Sequence, residues 1–257
     1  MYEALSEDYD RFVNWQERLS YELPFLEKIL NSLSSAASVR ATVLDSACGT
    51  GMHAIALAQR GYQVVGSDVS SNMIAKARQN AIKAGVAVRF EKVGFGEQTA
   101  LFGQKQFDAV LCLGNSLPHL LTDDDLSKAL QDFFNILRSP GVLLIQNRNF
   151  DQVLQSGQRE MAPQSAQEGE REWVFLRFYD FLENGLMRFN FLTLSRYGTQ
   201  DWQQNWQSAL LRPLKADELS QWLAEAGFST IERLGNLAGE PFDPLSSPNL
   251  VVVAYKA

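Results

Sequence analysis

The sequence is poor in the residues that metal and thiol chemistry use most. It holds two cysteines, Cys48 and Cys112, and two histidines, His53 and His119. These supply neither a disulfide framework nor a zinc-ligand spacing, so a secreted disulfide scaffold and a metal centre are both disfavoured. Basic charge is also scarce. Lys and Arg number 23 against 30 Asp and Glu, for a net charge of −7, and no run of Lys or Arg occurs. Such a chain does not offer the basic surface that neutralises phosphates, which argues against a nucleic-acid partner. Long apolar runs are missing too: Val142-Leu143-Leu144-Ile145 falls far short of a bilayer span. The start, Met1-Tyr2-Glu3-Ala4-Leu5-Ser6-Glu7-Asp8, is acidic and lacks the basic-then-apolar order of a signal peptide. The expectation is a cytoplasmic protein with no membrane partner. Apolar residues make up 46% of the 257 positions, enough for one large domain or a core carrying an insertion.

What is present is an alternation of apolar β-branched runs and helical patterns over the first 150 residues. The spacing predicts strands ending at Asp45 and Asp68, then at Val88–Val93, Phe107–Leu113 and Gly141–Gln146. Their near-continuous apolar character suits parallel strands covered on both faces. Helices are predicted from Ser71 and from Asp123-Asp124-Asp125 to about Arg138, the latter stopped by Ser139-Pro140-Gly141. Tyr9 to Leu33 reads as one or two amphipathic helices divided at Pro24, and Ser34 to Ala41 as a connector into the sheet. The order predicts a doubly wound α/β fold with a mostly parallel seven-stranded sheet.

The pattern changes after Asp151. Arg159 to Glu172 is polar and contains Pro163, and reads as a mobile loop. Two aromatic β-rich runs then flank Glu183-Asn184-Gly185, a strong hairpin signal, and Gln203 to Leu211 is predicted as a third antiparallel strand. A helix over Lys215 to Ala226 stops at Gly227, and Phe228–Leu234 and Asn249–Lys256, with no helix between them, are predicted to pair antiparallel at a sheet edge. The division predicted is an N-terminal helical and cofactor-binding core over 1–150, an antiparallel β insertion acting as a lid over 151–212, and a return to the core over 213–257.

The sharpest chemical signal is Val43-Leu44-Asp45-Ser46-Ala47-Cys48-Gly49-Thr50-Gly51-Met52-His53. A strand ends in an acid, a small glycine-rich turn follows, and a helix begins. Glycines there let a backbone approach a ligand, and the helix start presents free N–H groups. Asp68, at the end of the next strand, is placed to accept both hydroxyls of a ribose. The Gly49-x-Gly51-x-x-Ala54 spacing also fits a dinucleotide site. A pyrophosphate is unwelcome beside Asp45, however, whereas S-adenosylmethionine has no phosphate and brings an ammonium and a sulfonium. The acid therefore favours the methyl donor over a nicotinamide cofactor.

Asp45-Ser46-Ala47-Cys48-Gly49-Thr50-Gly51 resembles the first motif of the class I S-adenosylmethionine-dependent methyltransferases. Cys112-Leu113-Gly114-Asn115-Ser116-Leu117-Pro118-His119-Leu120 and Asn147-Arg148-Asn149-Phe150-Asp151 are similar to stretches of the glycine and sarcosine N-methyltransferases, as are Asn14-Trp15-Gln16-Glu17-Arg18 and Leu186-Met187-Arg188-Phe189. The resemblance implies a Rossmann-like methyltransferase core with S-adenosylmethionine as cofactor. It implies that Arg18 reaches the donor's carboxylate, that Ala47, Gly49 and Gly51 line its methionine part, that Asp68 holds the ribose, and that Leu113 lies near the sulfonium. Asn115 and Arg148 would face the substrate, with Arg148 pairing a carboxylate bidentately.

The chain departs from the family where the acceptor and adenine are handled. Gln146-Asn147 precede Arg148, Phe150 stands where Tyr is usual, and Gly94-Phe95 replace an acid or amide followed by Trp, leaving Phe95 to stack on the base. Trp173, Phe175, Arg177 and Tyr179 form a candidate acceptor pocket of a different kind. His53 reads as a helix-end or cofactor-shell residue, His119 as an orienting or core residue, and no residue is assigned as a general base. The expected activity is methyl transfer to a small-molecule acceptor, foremost an amine nitrogen of an amino-acid-like molecule. An O- or other small-molecule methyltransferase, and a cofactor-binding protein without catalysis, stand as alternatives.

Overall fold

The computed structural model describes residues 8–33 and 40–257. The expected connector over Ser34 to Ala41 and the acidic start therefore lie mostly outside the described residues. A four-residue helix α1 (Tyr9–Phe12) is followed by a long helix α2 (Trp15–Ser32). The core then alternates: β1 (Thr42–Ser46), α3 (Met52–Gln59), β2 (Gln63–Asp68), α4 (Ser71–Ala84), β3 (Arg89–Lys92), α5 (Gln98–Phe102), β4 (Phe107–Cys112), a short 3-10 turn (Leu117–His119), α6 (Asp123–Ile136) and β5 (Leu137–Arg148). After α7 (Phe150–Ser156) come β6 (Gln164–Glu168), β7 (Arg171–Phe181), β8 (Met187–Tyr197) and β9 (Gln203–Leu211). The chain closes with α8 (Ala216–Glu225), β10 (Thr230–Leu234) and β11 (Asn249–Lys256).

The strands form a seven-stranded sheet in the order β10-β11-β5-β4-β1-β2-β3 and a separate four-stranded antiparallel sheet, β6-β7-β8-β9. In the large sheet β3, β2, β1, β4 and β5 run parallel, while β11 is antiparallel to β5 and to β10. Alternation along β5 shows why both faces must be covered. Val142 and Leu144 join the core under α2, α3 and α4, while Leu143 and Ile145 join the core under α6 and α8. This is the expected three-layer α/β arrangement, with strands apolar on both sides. The chain order reverses beside β1, between β4 and β2, so a crevice opens outside the carboxyl ends of these strands, where open α/β sheets bind ligands.

Three expectations change on contact with the structure. Pro24 does not divide the N-terminal helix; α2 runs through it. A proline inside a helix costs about 3 kcal/mol relative to alanine, but Leu23, Phe25, Leu26, Ile29 and Leu30 are all buried and hold the helix in register across it. The break lies earlier, at extended Val13, and Asn14 caps α2 by accepting the Glu17 N–H at 3.3 Å. Second, Ser139-Pro140-Gly141 does not separate helix from strand: α6 ends at Ile136 and β5 already starts at Leu137. The proline is absorbed where the register with β4 shifts, opposite Phe107 and Ala109, so no ladder N–H is demanded of it. Third, the segment from Arg159 to Glu172 is not all loop. Its Gln164–Glu168 stretch is an edge strand on β7. The hairpin at Asn184-Gly185, the strand over Gln203–Leu211 and the antiparallel pairing of β10 with β11 stand as expected.

Candidate active site

The turn after β1 is built from left-handed backbone. Ala47, Gly49 and Gly51 have φ of 56°, 55° and 79°. Gly51 has no room for a side chain: a Cβ there would lie 2.7 Å from the Phe90 ring and 2.9 Å from Ala77. Asp68 tightens the same turn. One of its carboxylate oxygens accepts the Gly49 N–H at 2.9 Å and the other accepts the Ser70 N–H at 2.9 Å. Asp45 is 2% exposed beneath the turn and accepts the Ala54 N–H at the start of α3. Its Oδ2 has no hydrogen-bond partner among the described residues. Burial pushes its carboxyl up to about 6, against a smaller opposing effect of His53.

The N-terminal element covers this turn. Tyr9 lies over Gly49, with its ring edge 4.0 Å from where a Cβ would stand. Asp10 fastens the element in place, accepting from Thr50 Oγ1 at 2.6 Å, Trp15 Nε1 at 3.0 Å and Asn80 Nδ2 at 2.9 Å. Phe12 reaches the other way and packs edge-on against Phe175 and Phe191 of the antiparallel sheet. Arg11 pairs with Glu168 of β6 at 2.8 Å. Behind the element, Arg18, Glu22 and His53 form a chain of contacts at 3.0 and 2.6 Å. Burial would raise Glu22, but the hydrogen bond and charge of His53, followed by Arg18, hold its carboxyl below the usual range.

Beyond Tyr9 a cavity of about 840 Å³ opens between the large sheet, α2 and the inner face of the antiparallel sheet. Arg18, Asn115 and Arg148 line it, together with His119, Arg177 and Tyr179. The wall beside β4 is locked by backbone geometry. Gly114 and Asn115 both take positive φ, 80° and 65°. The Asn115 side-chain oxygen accepts the Arg148 N–H at 2.9 Å, and Gln146 accepts the Gly114 N–H at 2.8 Å while donating to Asn249 at 3.0 Å. Asn115 thus both shapes the turn after Gly114 and lines the cavity. Arg148 hydrogen-bonds the buried Tyr179 side chain. His119 donates to the Leu210 carbonyl, and burial pulls its ring down to about 4, so it is neutral at pH 7.

The residues singled out in the sequence therefore fall into three groups. Asp45, Ala47, Gly49, Gly51 and Asp68 converge at the glycine turn. Arg18, Asn115 and Arg148 line the cavity beside it. Leu113 and Phe95 do neither: Leu113 is buried in the core just before Gly114, and Phe95 packs edge-on against Phe133 at 5.8 Å. Of the candidate pocket in the insertion, Arg177 and Tyr179 face the cavity, whereas Trp173 and Phe175 pack with Phe191 beneath Phe12. Sequence reasoning missed Tyr9, Asp10 and Val69. The only sequence signal for the first pair was their place in the first amphipathic element. Val69 is a 69% exposed apolar residue directly after Asp68, and lies 3.6 Å from a Cβ built on Gly94.

A family model described as a methyltransferase domain matches residues 43–141, which span β1 through the start of β5. The chain is 32% identical over 238 residues to a glycine/sarcosine N-methyltransferase from Aphanothece halophytica, an alignment covering 91% of this chain and 82% of that protein. The chain belongs to the S-adenosylmethionine-dependent methyltransferases. A second glycine/sarcosine N-methyltransferase, from Parasynechococcus marenigrum, is 32% identical over 212 residues, covering 76% of this chain and 71% of that protein. The fold of this methyltransferase is shared with an S-adenosylmethionine-dependent methyltransferase from Clostridium acetobutylicum, with a TM-score of 0.77 and 16% identity, covering 99% of this chain and 98% of that one. The residues present fit the cofactor. The left-handed turn gives close backbone approach, and the buried, unpartnered Asp45 Oδ2 is an acceptor suited to an ammonium group, directly or through water.

Proposed function

We propose that this methyltransferase methylates an amine nitrogen of a small, amino-acid-like acceptor that carries a carboxylate. The observation that carries the reading is Arg148. It lines the cavity at the carboxyl end of β5, is hydrogen-bonded to Tyr179, and has no carboxylate within ion-pair distance among the described residues. A guanidinium fork without a protein partner is matched by a ligand carboxylate held bidentately.

When bound, S-adenosylmethionine supplies a sulfonium-activated methyl: the acceptor nitrogen's lone pair forms the N–C bond, the C–S bond breaks with its electrons left on sulfur, and the amine proton leaves to water. The chain's own work is to hold, align and dry the site. Asp68 accepts from the ribose hydroxyls while keeping its grip on Gly49, since an ionised carboxylate has acceptor sites for both. Ala47, Gly49 and Gly51 line the methionine portion, Arg18 faces its carboxylate, and Leu113 supports the wall near the sulfonium. Val69 gives the adenine an apolar face. Arg148 and Asn115 fix the acceptor. The antiparallel sheet and α1 act as a lid that excludes water, so orientation supplies the catalysis and no general base is needed.

The test compares a methylated amino acid with its amide in wild type and in Arg148→Ala. Wild type is expected to prefer the carboxylate about ten- to hundredfold in kcat/KM, the worth of a charged hydrogen-bonded pair. Arg148→Ala is expected to abolish that preference with affinity for S-adenosylhomocysteine little changed. A preference that survives Arg148→Ala removes the carboxylate clamp.

A further inference from the structure

Arg148 does not stand alone. Arg177, on β7 of the antiparallel sheet, lines the same cavity. Its Nε is buried and has no hydrogen-bond partner among the described residues, and its guanidinium lies 4.4 Å from the Phe12 ring centroid. Its one hydrogen bond among the described residues is a long one, 3.5 Å to the Ala162 carbonyl. Tyr179 is hydrogen-bonded to Arg148 and feels the charge of both guanidiniums. The carboxylates that line the cavity do not answer them. Glu22 is paired with Arg18 and His53, while Glu17 is exposed, accepts from Asn14 and forms no ion pair with either arginine among the described residues. Burial first, and the charge of Arg148 second, pull Arg177 down to about 10, so it remains a cation at neutral pH. Two half-buried like charges with no ion-pair partner among the described residues repel each other, and an anion bound between or across them relieves that repulsion.

The cavity falls within the roughly 300–1,000 Å³ of sites that hold drug-sized ligands, and Arg18 on its wall leaves part of that room to the donor. We propose that Arg148 and Arg177 form a two-cation seat for an acceptor bearing two anionic groups, an amino acid with a second carboxylate or a phosphate. Arg148 takes the group next to the amine, and Arg177 takes the second. This deepens the amine-methylation reading and rests on it for the identity of the reacting atom, but the seat itself can be tested without turnover.

Calorimetry on the S-adenosylhomocysteine complex with succinate, phosphoacetate and acetate reads the seat directly. Succinate or phosphoacetate is expected to bind at least about tenfold tighter than acetate, in line with one further charged contact. Arg177→Gln should bring the ratio close to one, and Arg177→Lys should keep part of it, because charge is retained while the fork is lost. Affinity for S-adenosylhomocysteine reports whether each variant is folded. A wild-type ratio near one, or a ratio that survives in folded Arg177→Gln, overturns the seat. Turnover with aspartate against asparagine, and phosphoserine against serine, then separates the two claims. Tight dianion binding with no amine methylated overturns the proposed reaction and leaves the seat standing. Amine methylation with no preference for the dianionic member of either pair overturns the seat and leaves the reaction standing.

Discussion

On the side of the glycine turn, the important polar groups are fixed by the chain itself. Asp68 holds two backbone N–H groups, Asp10 holds Thr50, Trp15 and Asn80, and Arg18, Glu22 and His53 hold one another. On the acceptor side, Arg148 and Arg177 are long cations with little to satisfy them, presented from β5 and from a different sheet. The first arrangement is backbone-built and suits one constant ligand. The second joins a core residue, Arg148, to a side chain carried by the insertion, Arg177, and the inserted half can change without disturbing the core. A donor shared by a whole family and an acceptor particular to each member call for this division.

The comparison breaks first at Gly51. Gly51→Ala puts a Cβ into Phe90 and Ala77 and forces a left-handed backbone on alanine. Strain of about 1–2 kcal/mol and overpacking of about 1–3 kcal/mol should together lower stability and abolish tight S-adenosylhomocysteine binding. Chemical denaturation and calorimetry check this, and an unchanged midpoint with unchanged affinity would show the turn is looser than its geometry.

Next in size is Asp68. Because it both braces the turn and is expected to hold the ribose, Asp68→Ala should weaken S-adenosylhomocysteine about ten- to hundredfold and also cost about 1–3 kcal/mol of stability. Loss of stability with affinity intact would reduce Asp68 to a structural brace.

Asp45 gives a pH signature confined to the donor side. Its carboxyl is raised from an ordinary 3.8 to about 6 by burial, so the folded state binds the proton more tightly than the unfolded state. Stability therefore falls as pH rises between those values, by on the order of 3 kcal/mol, and the cost is fully present above pH 6. A bound ammonium favours the ionised form, so affinity for S-adenosylhomocysteine should drop as pH falls below about 6. Asp45→Asn should flatten that profile while leaving acceptor discrimination in place. A profile that keeps its shape in Asp45→Asn assigns the titration elsewhere.

The smallest effect is expected where α1 meets the antiparallel sheet. The Arg11–Glu168 pair is partly exposed, and such pairs contribute about 0–1 kcal/mol. Glu168→Gln should barely move stability in a denaturation series, whereas a loss above 2 kcal/mol would mean that this contact, and not Phe12 packing, fastens α1.

Much of the donor side was legible in the sequence because short-range rules govern it. Small residues between an acid-ended strand and a helix, with a second acid at the next strand end, admit few backbone solutions. The acceptor side was legible only in part. Arg148 and Asn115 could be placed by the strands they follow, but Gln146 turned out to stitch Gly114 to Asn249, a contact between residues far apart in the chain. Tyr9 and Asp10 were not singled out, since nothing local says that a four-residue helix will be held by Thr50 and Asn80. Strand β6 was hidden because Gln164-Ser165-Ala166-Gln167-Glu168 has no apolar face to bury, and its pairing with β7 comes from the edge it completes. The helix through Pro24 shows burial along one face overriding local propensity.

The central claim is that the methyl group goes to nitrogen. The direct measurement is fragmentation mass spectrometry of the product formed from S-adenosylmethionine carrying an isotopically labelled methyl and a panel of amino acids with their N-blocked and amide counterparts. The account expects the label on the amine nitrogen of a free amino acid, with no product from the N-blocked form. Label on an oxygen, or equal labelling of the N-blocked form, would contradict it.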